Sequence, residues 1–422
     1  MKNKKPVVLL VAAWVLVLGV ARAEAPLGAG VDELLDYARN HNPEFAAMRH
    51  EAAAAVERVQ SAGALADPTV RMELQNFTNS DSDANPSLLP SRVGSTKYTV
   101  IQPLPWWGKR DLKREVAAAA ADETTARAAG TWTELSARIK VAYALYFQTS
   151  RQLALTREVL DLVERLGGIA QVRYAGGLAP QADAIRAQVE RTAMQNELIA
   201  LDTERHHAMV RLNALLARPI IAALAEPERL RPMPAAVTLD ATVLEARLRD
   251  RNPQLFAEDA KVRAAEKSRD LTYRNRYPDF AVGVSPIQMR NRINEWELMV
   301  EMNIPLQQGS RRAQEREAER MLDAARSRKE AAANQLLSDL GENLALIDAA
   351  RRTEGLIESS LLPQAELAFH ASLAGYETGK VDFATVLDSQ RQIRRTKLDL
   401  IKTRAELQMR LADIERLIGE DL

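Results

Sequence analysis

Residues 375–393 read GYETGKVDFATVLDSQRQI. A helical pattern runs into Tyr376, stops at Gly379 and restarts beyond Asp382. Glycine readily takes the left-handed conformation that closes a helix, and aspartate caps the next one by accepting its free N–H groups. The stretch is the tip of a helical hairpin. Outward from it, the same tip recurs 202 residues earlier at 173–188 as RYAGGLAPQADAIRAQ, with Tyr174 matching Tyr376, Gly177 matching Gly379 and Gln188 matching Gln390.

Two tips at a fixed offset mark a duplicated chain. Asn42-Pro43 and Asn252-Pro253 stand 210 residues apart, as do Pro68 and Pro278. Each Asn-Pro pair lies in an amphipathic helix pattern, starting at Asp32 or near Thr242, that is expected to pass through it. The first repeat spans 24–218 and the second 238–422. Between them, 219–237 carries Pro219, Pro227, Pro232 and Pro234, a density at which no helix continues, and reads as a connector draped across the body.

Each copy holds two strand candidates. Val70, Met72 and Leu74 alternate with Arg71, Glu73 and Gln75 within 69–77. Within 295–304, Trp296, Leu298, Val300, Met302 and Ile304 alternate with Glu295, Glu297, Met299, Glu301 and Asn303. Period-two alternation belongs to strands with one apolar and one polar face. Weaker partners lie at 96–102 and 279–285, across loops 76–95 and 286–294. Two architectures fit. One is a small sheet capping a helical body; the other is part of a transmembrane barrel, with strands of about 9–11 residues, apolar outside and aromatic at the rims. Phe77, Tyr98, Trp106, Trp107, Phe280 and Trp296 lie near strand ends, where such rims belong. So few strands cannot close a barrel, so the second architecture requires several subunits.

The helices weigh toward the barrel. Helical patterns run from Gly108 to Tyr174 and from Gly309 to Tyr376, about 65 residues or about 98 Å each. The returning patterns, Gln181 to Arg218 and Asp382 to Gly419, are shorter, and the pre-strand helices 32–66 and 242–276 make up the difference if stacked end to end with them. A wall about 100 Å tall is too long for an ordinary globular domain. Val386, Ile393, Leu400, Leu407 and Ile414 recur every seven residues, a coiled-coil seam. Gly167-Gly168, Gly341, Gly355 and Pro363 predict kinks rather than ends. The fold class is mainly α with a small β part.

Lys2, Lys4 and Lys5, an apolar run from Val7 to Val20, and Ala21-Arg22-Ala23 read as a signal peptide at 1–23, cleaved before Glu24. The 422 residues contain no cysteine, which excludes disulfides and a lipidated N-terminal cysteine. The 57 basic and 57 acidic residues balance, and nothing in their distribution suggests a nucleic-acid partner. No later segment has 18 consecutive apolar residues, so any membrane contact falls to strands.

No catalytic constellation is present. His41, His50, His206, His207 and His370 form no H-E-x-x-H, and adjacent His206 and His207 point about 100° apart on a helix. They read as solvated or tunnel-facing. Met299 and Met302 fall on opposite faces of their strand, which favours packing over soft-metal ligation. The chain reads as a non-enzyme without cofactor or metal site.

The duplication, the Asn-Pro pairs, the approaches Pro103 to Gly108 and Pro305 to Gly309, and the two Tyr-x-x-Gly tips resemble, in their order over nearly the whole chain, the TolC-like outer-membrane efflux channels. DPTV at 67–70 and QPLPWWGKR at 102–110 look most like the branch paired with heavy-metal exporters of the resistance-nodulation-division type. The resemblance implies a homotrimer with a twelve-stranded β-barrel in the outer membrane, continued by a periplasmic α-helical barrel. It implies a passive duct for heavy-metal cations, docked on a periplasmic adaptor and served by an inner-membrane pump of that type. Drug efflux and type I protein secretion are the other duties of such ducts. At the periplasmic gate, the resemblance places Asp388 at the mouth and joins Asp183 to Tyr376 as a latch. The family's latch arginine falls on Val381, with Lys380 beside it as the substitute, and a second mouth aspartate falls on Thr385. Gly177, Leu178, Gly379 and Val381 are the expected adaptor contacts. If Trp296, Leu298, Val300 and Met302 face lipid, then Arg71, Glu73, Glu297 and Glu301 line the pore. The contrasting reading is a periplasmic adaptor or scaffold without a pore, but adaptors carry a single hairpin set into β-rich domains.

Overall fold

The computed structural model describes residues 27–76, 88–90, 93–289 and 292–422. The expected signal peptide and the rim candidate Phe77 lie outside the described residues. In the first copy, α1 (Val31–His41) and α2 (Pro43–Ala62) precede β1 (Thr69–Gln75) and β2 (Ser95–Leu104), followed by α3 (Lys109–Ala175) and its return α4 (Gln181–Leu215). The second copy repeats the order with α5 (Ala241–Arg251), α6 (Pro253–Arg274), β3 (Asp279–Met289), β4 (Arg292–Asn303), α7 (Gln308–Leu356), α8 (Leu362–Glu377) and α9 (Phe383–Ile418).

The helix expected to pass through each Asn-Pro pair is broken there. Asn42 and Asn252 are extended, with ψ 120° in both, because the residue before a proline is pushed out of the helical region. Each asparagine then does two jobs. Its Oδ1 accepts from the backbone N–H of Phe45 (3.0 Å) or Leu255 (2.9 Å), capping the helix that follows. Its Nδ2 donates to the final-turn carbonyl of the returning helix, Leu215 (2.9 Å) or Leu417 (2.7 Å). Thus α4 abuts α2, and α9 abuts α6, end to end as the helix lengths require. The short helices α1 and α5 wedge against these joints. Leu34 and Ala38 are buried with Leu135, Ile139 and Leu212, and Leu244 and Leu248 with Leu340, Ile414 and Leu417.

The long helix α3 runs 67 residues without ending at Gly167-Gly168. A Cβ at Gly167 would stand 3.2 Å from that of Ala187, so the glycine lets α4 lie close. Helix α7 passes Gly341 likewise. Between Gly355 and Pro363, residues Ile357–Leu361 form one π-helical turn that carries α7 into α8; a wider turn lets a helix pass a proline without ending. Along the heptad seam Val386, Leu407 and Ile414 are buried, and Ile393 and Leu400 half-buried.

The strands form one antiparallel sheet in the order β1-β2-β3-β4. Both β3 and β4 outrun their expected bounds, so most of the expected loop 286–294 is strand. Pro286 hides this in the sequence, since proline usually ends a strand or sits where no ladder bond is needed. Here it lies opposite Trp296 of β4, while the β2–β3 ladder skips from Lys97↔Ile287 to Val100↔Val284. Within 219–237 the Ala225 N–H donates to the Leu27 carbonyl (2.9 Å), and the Tyr143 hydroxyl of α3 donates to the Arg229 carbonyl (3.1 Å).

Candidate functional site

The two tips close alike. Gly177 (φ 69°) and Gly379 (φ 74°) are left-handed, and the next N–H, of Leu178 or Lys380, donates back to Arg173 or Gly375 at 2.8 Å. The second tip's cap is the expected one. Asp382 Oδ1 accepts from the Thr385 N–H (2.9 Å) and hydroxyl (2.5 Å). The Thr385 hydroxyl and backbone bonds hold the Asp382 carboxyl below its ordinary range. Thr385, where a second mouth aspartate would fall, thus serves the cap.

The tips differ in what they bury. Tyr376 is only 3% exposed, whereas its counterpart Tyr174 is 45% exposed. The Tyr376 ring packs on Phe383 with centroids 5.2 Å apart, and its hydroxyl donates to Asp183 Oδ2 at 3.4 Å. Burial first, and the Asp183 charge second, push the Tyr376 phenol up. The structure therefore brings Asp183 and Tyr376 together. It does not bring Lys380, which is exposed and makes no side-chain hydrogen bond or ion pair among the described residues. The cation at this point is Arg173, from the other hairpin. Its guanidinium lies 5.0 Å from the Tyr376 ring centre and donates to the Glu377 carbonyl at 2.8 Å. Nothing local marks Arg173, so reading along the chain missed it.

Asp388 is exposed on α9 and pairs with Arg391 at 3.1 Å. Arg391 also reaches the buried carboxylate of Glu190 on α4 at 2.5 Å, and Arg394 reaches Glu197 at 2.5 Å. Asp183, Glu190 and Glu197 stand seven residues apart on α4, each met by a side chain of α8 or α9. This electrostatic seam joins the hairpins, and the acidic heptad was its visible signal. Among the tip residues, Leu178 is 71% exposed. Val381 is half-buried, and a Cβ at Gly375 would fall 2.5 Å from its Cγ2. Gly375 thus leaves room for Val381 to tuck beneath the tip.

In the sheet, Val70, Val100, Val284 and Leu298 pair across the strands as one exposed row. Met72, Trp296, Val300 and Met302 share that face, and Arg71, Glu73, Glu297 and Glu301 share the other. The polar face also holds Lys97, unremarked in the sequence, which pairs with Glu297. Arg71 stands 3.7 Å from Glu73, and the Thr99 and Ser285 hydroxyls bond at 2.9 Å.

The outer membrane efflux protein family matches residues 34–218 and 244–420, one stretch in each copy. The cobalt-zinc-cadmium resistance protein CzcC of Cupriavidus metallidurans is 22% identical over 336 residues, covering 77% of this chain and 78% of that protein. Outer membrane protein OprJ of Pseudomonas aeruginosa is 26% identical over 311 residues, covering 71% of this chain and 64% of OprJ. The crystal structure of outer membrane protein VceC from Vibrio cholerae superposes with a TM-score of 0.78 at 16% identity, over 93% of this chain and 96% of VceC.

Proposed function

Because the chain belongs to the outer membrane efflux protein family, we propose that this outer-membrane channel protein is the exit duct of a tripartite efflux system, a homotrimer joined to a periplasmic adaptor and an inner-membrane pump of the resistance-nodulation-division type. The chain is not an enzyme. The observation that carries the reading is the sheet, exposed and apolar on one face, polar on the other, and, among the described residues, unpaired at the edges β1 and β4. In hydrocarbon each free strand-edge N–H or C=O costs several kcal/mol, so such a sheet must close. Pairing β4 of one copy with β1 of the next gives, in three copies, a closed twelve-stranded barrel. The 67 residues of α3 then extend the wall about 100 Å into the periplasm. Export through a cleaved signal peptide without lipidation, and adaptor docking at Gly177, Leu178, Gly379 and Val381, belong to the same proposal.

Heavy-metal cations are the proposed substrate. Similarity to CzcC supports this. So does the polar face, where Glu73, Glu295, Glu297 and Glu301 outnumber Arg71 and Lys97 and would line the pore. The gate is the seam between the hairpins. Contacts Asp183–Tyr376, Glu190–Arg391 and Glu197–Arg394 hold the tips closed, each worth about 1–3 kcal/mol as a hydrogen bond to a buried or half-buried carboxylate. That scale suits a gate that must open. Single-channel recording in planar bilayers tests it. Combining Tyr376→Phe with Arg391→Ala is expected to raise conductance, and Asp388→Ala to weaken divalent block. Wild-type conductance and block in these variants would sink the gate assignment.

A further inference from the structure

Where the sheet meets the helices, Trp106 stacks on Tyr277 (ring centroids 5.1 Å apart, 10° between planes) and on Phe280 (5.8 Å), with Trp107 edge-on at 5.0 Å. The turn is locked from behind. The Trp106 N–H and Lys109 Nζ both donate to Asp279 Oδ1 at 2.8 Å, and Lys109 Nζ also to the Tyr277 carbonyl at 2.9 Å. Trp107 nevertheless stays 74% exposed. Beside it lies a cavity of about 570 Å³ walled by Leu104, Trp107, Phe280, Val282 and Val300, with Arg110 on its rim.

Arg110 is held in place but not neutralised. Its Nε donates to the Gly63 carbonyl at 2.9 Å, and neither Nη group has a partner among the described residues. Asp111, the acid at this cavity, stands 3.7 Å from Arg114. Lys113 is exposed nearby without a hydrogen bond or ion pair among the described residues. An apolar slot calls for an apolar occupant, and a fixed, unpaired guanidinium calls for an anionic oxygen pair. One molecule meets both needs when its phosphate stands between head and acyl chains.

We propose that each chain binds one glycerophospholipid here, its phosphate on Arg110 with Lys113 nearby and an acyl chain along Trp107, Val282 and Val300. The slot opens on the exposed apolar face at the helix end of the sheet. This inference rests on the outer-membrane barrel, which puts that end at the headgroup level of the periplasmic leaflet, where aromatic and basic anchors act. The bound lipid sets the depth at which the tunnel leaves the membrane.

Native mass spectrometry of the detergent-released, full-length protein reads the site directly. Phosphatidylethanolamine should add one molecule per chain, diacylglycerol with the same chains should not, and inorganic phosphate should not displace the lipid. Arg110→Gln is expected to weaken retention about fivefold, the effect of one cation at a headgroup. Trp107→Ala should weaken it too, and Arg320→Gln, an exposed arginine on α7, should not. Equal retention in Arg110→Gln and Trp107→Ala overturns the proposal, as does uptake of diacylglycerol or displacement by phosphate. Cell-envelope fractionation separates the two readings. If the barrel fails, wild type and variants alike leave the outer-membrane fraction; if only the lipid site fails, all remain there with equal lipid.

Discussion

Glu415 gathers four hydrogen bonds in the interior of the described residues. It is 3% exposed and accepts from Lys140 Nζ at 2.7 Å, from Arg231 at 3.0 and 2.9 Å, and from the Leu422 N–H at 3.1 Å. One carboxylate thereby ties α3, the connector, α9 and the last residues together at the level where α9 ends. Lys140 is equally buried and also pairs with Asp421. Taking charges out of water is expensive, so removing one partner leaves another uncompensated. Glu415→Gln is expected to cost about 3–5 kcal/mol. Replacing Lys140 and Arg231 with methionine together with Glu415→Leu should restore much of that loss, because no buried charge is then stranded. Denaturant unfolding of the purified protein decides it; a triple variant as unstable as Glu415→Gln would contradict the account.

At the scale of elements, the joints carry the architecture. Gly419 ends α9 at φ 79°, and a Cβ there would stand 2.7 Å from the Arg251 carbonyl oxygen and 3.0 Å from Pro253 Cδ. The equivalent residue of the first copy is Ala217, left-handed at φ 54° without being glycine. An L-residue pays about 1–2 kcal/mol for that conformation. Ala217→Gly should therefore stabilise the protein by about 0.5–1 kcal/mol after the entropy of a freer unfolded chain is subtracted. Gly419→Ala should cost more than the strain alone, since the added carbon collides with backbone. Melting temperatures of the two variants should move in opposite directions; a shared direction would mean the joints are not equivalent. These joints were half legible. The Asn-Pro pairs marked the places, but the amphipathic pattern continues across each pair and reads as one helix. The double role of asparagine depends on a carbonyl 173 residues away for Asn42 and 165 for Asn252.

The whole molecule is predicted to extract in detergent as a trimer of about 130 kDa once residues 1–23 are cleaved, since one chain, 46.8 kDa before cleavage, cannot close its sheet. In planar bilayers its pore should favour cations, because carboxylates repeated around a narrow lumen concentrate them. Lys97 tempers this by pairing with Glu297. Lys97→Gln should shift the reversal potential further toward cations, while Glu73, Glu297 and Glu301 changed to Gln should shift it back. Anion selectivity in the wild-type channel would refute the assignment of the polar face to the lumen.

The residues by themselves determined whatever is local or periodic. Hairpin tips, strand alternation, helix length, the heptad seam and the duplication all follow from neighbours a few positions apart, or from one pattern written twice. Only the tertiary structure decided the pairings. Arg173 rather than Lys380 stands on Tyr376, and Lys97 meets Glu297 across 200 residues. Lys140 meets Glu415 across 275 residues. Such partners depend on which faces of distant elements come to lie against each other. Packing sets those faces through many weak contacts at once, so the residues beside Arg173, Lys97 or Lys140 in the chain do not name their partners.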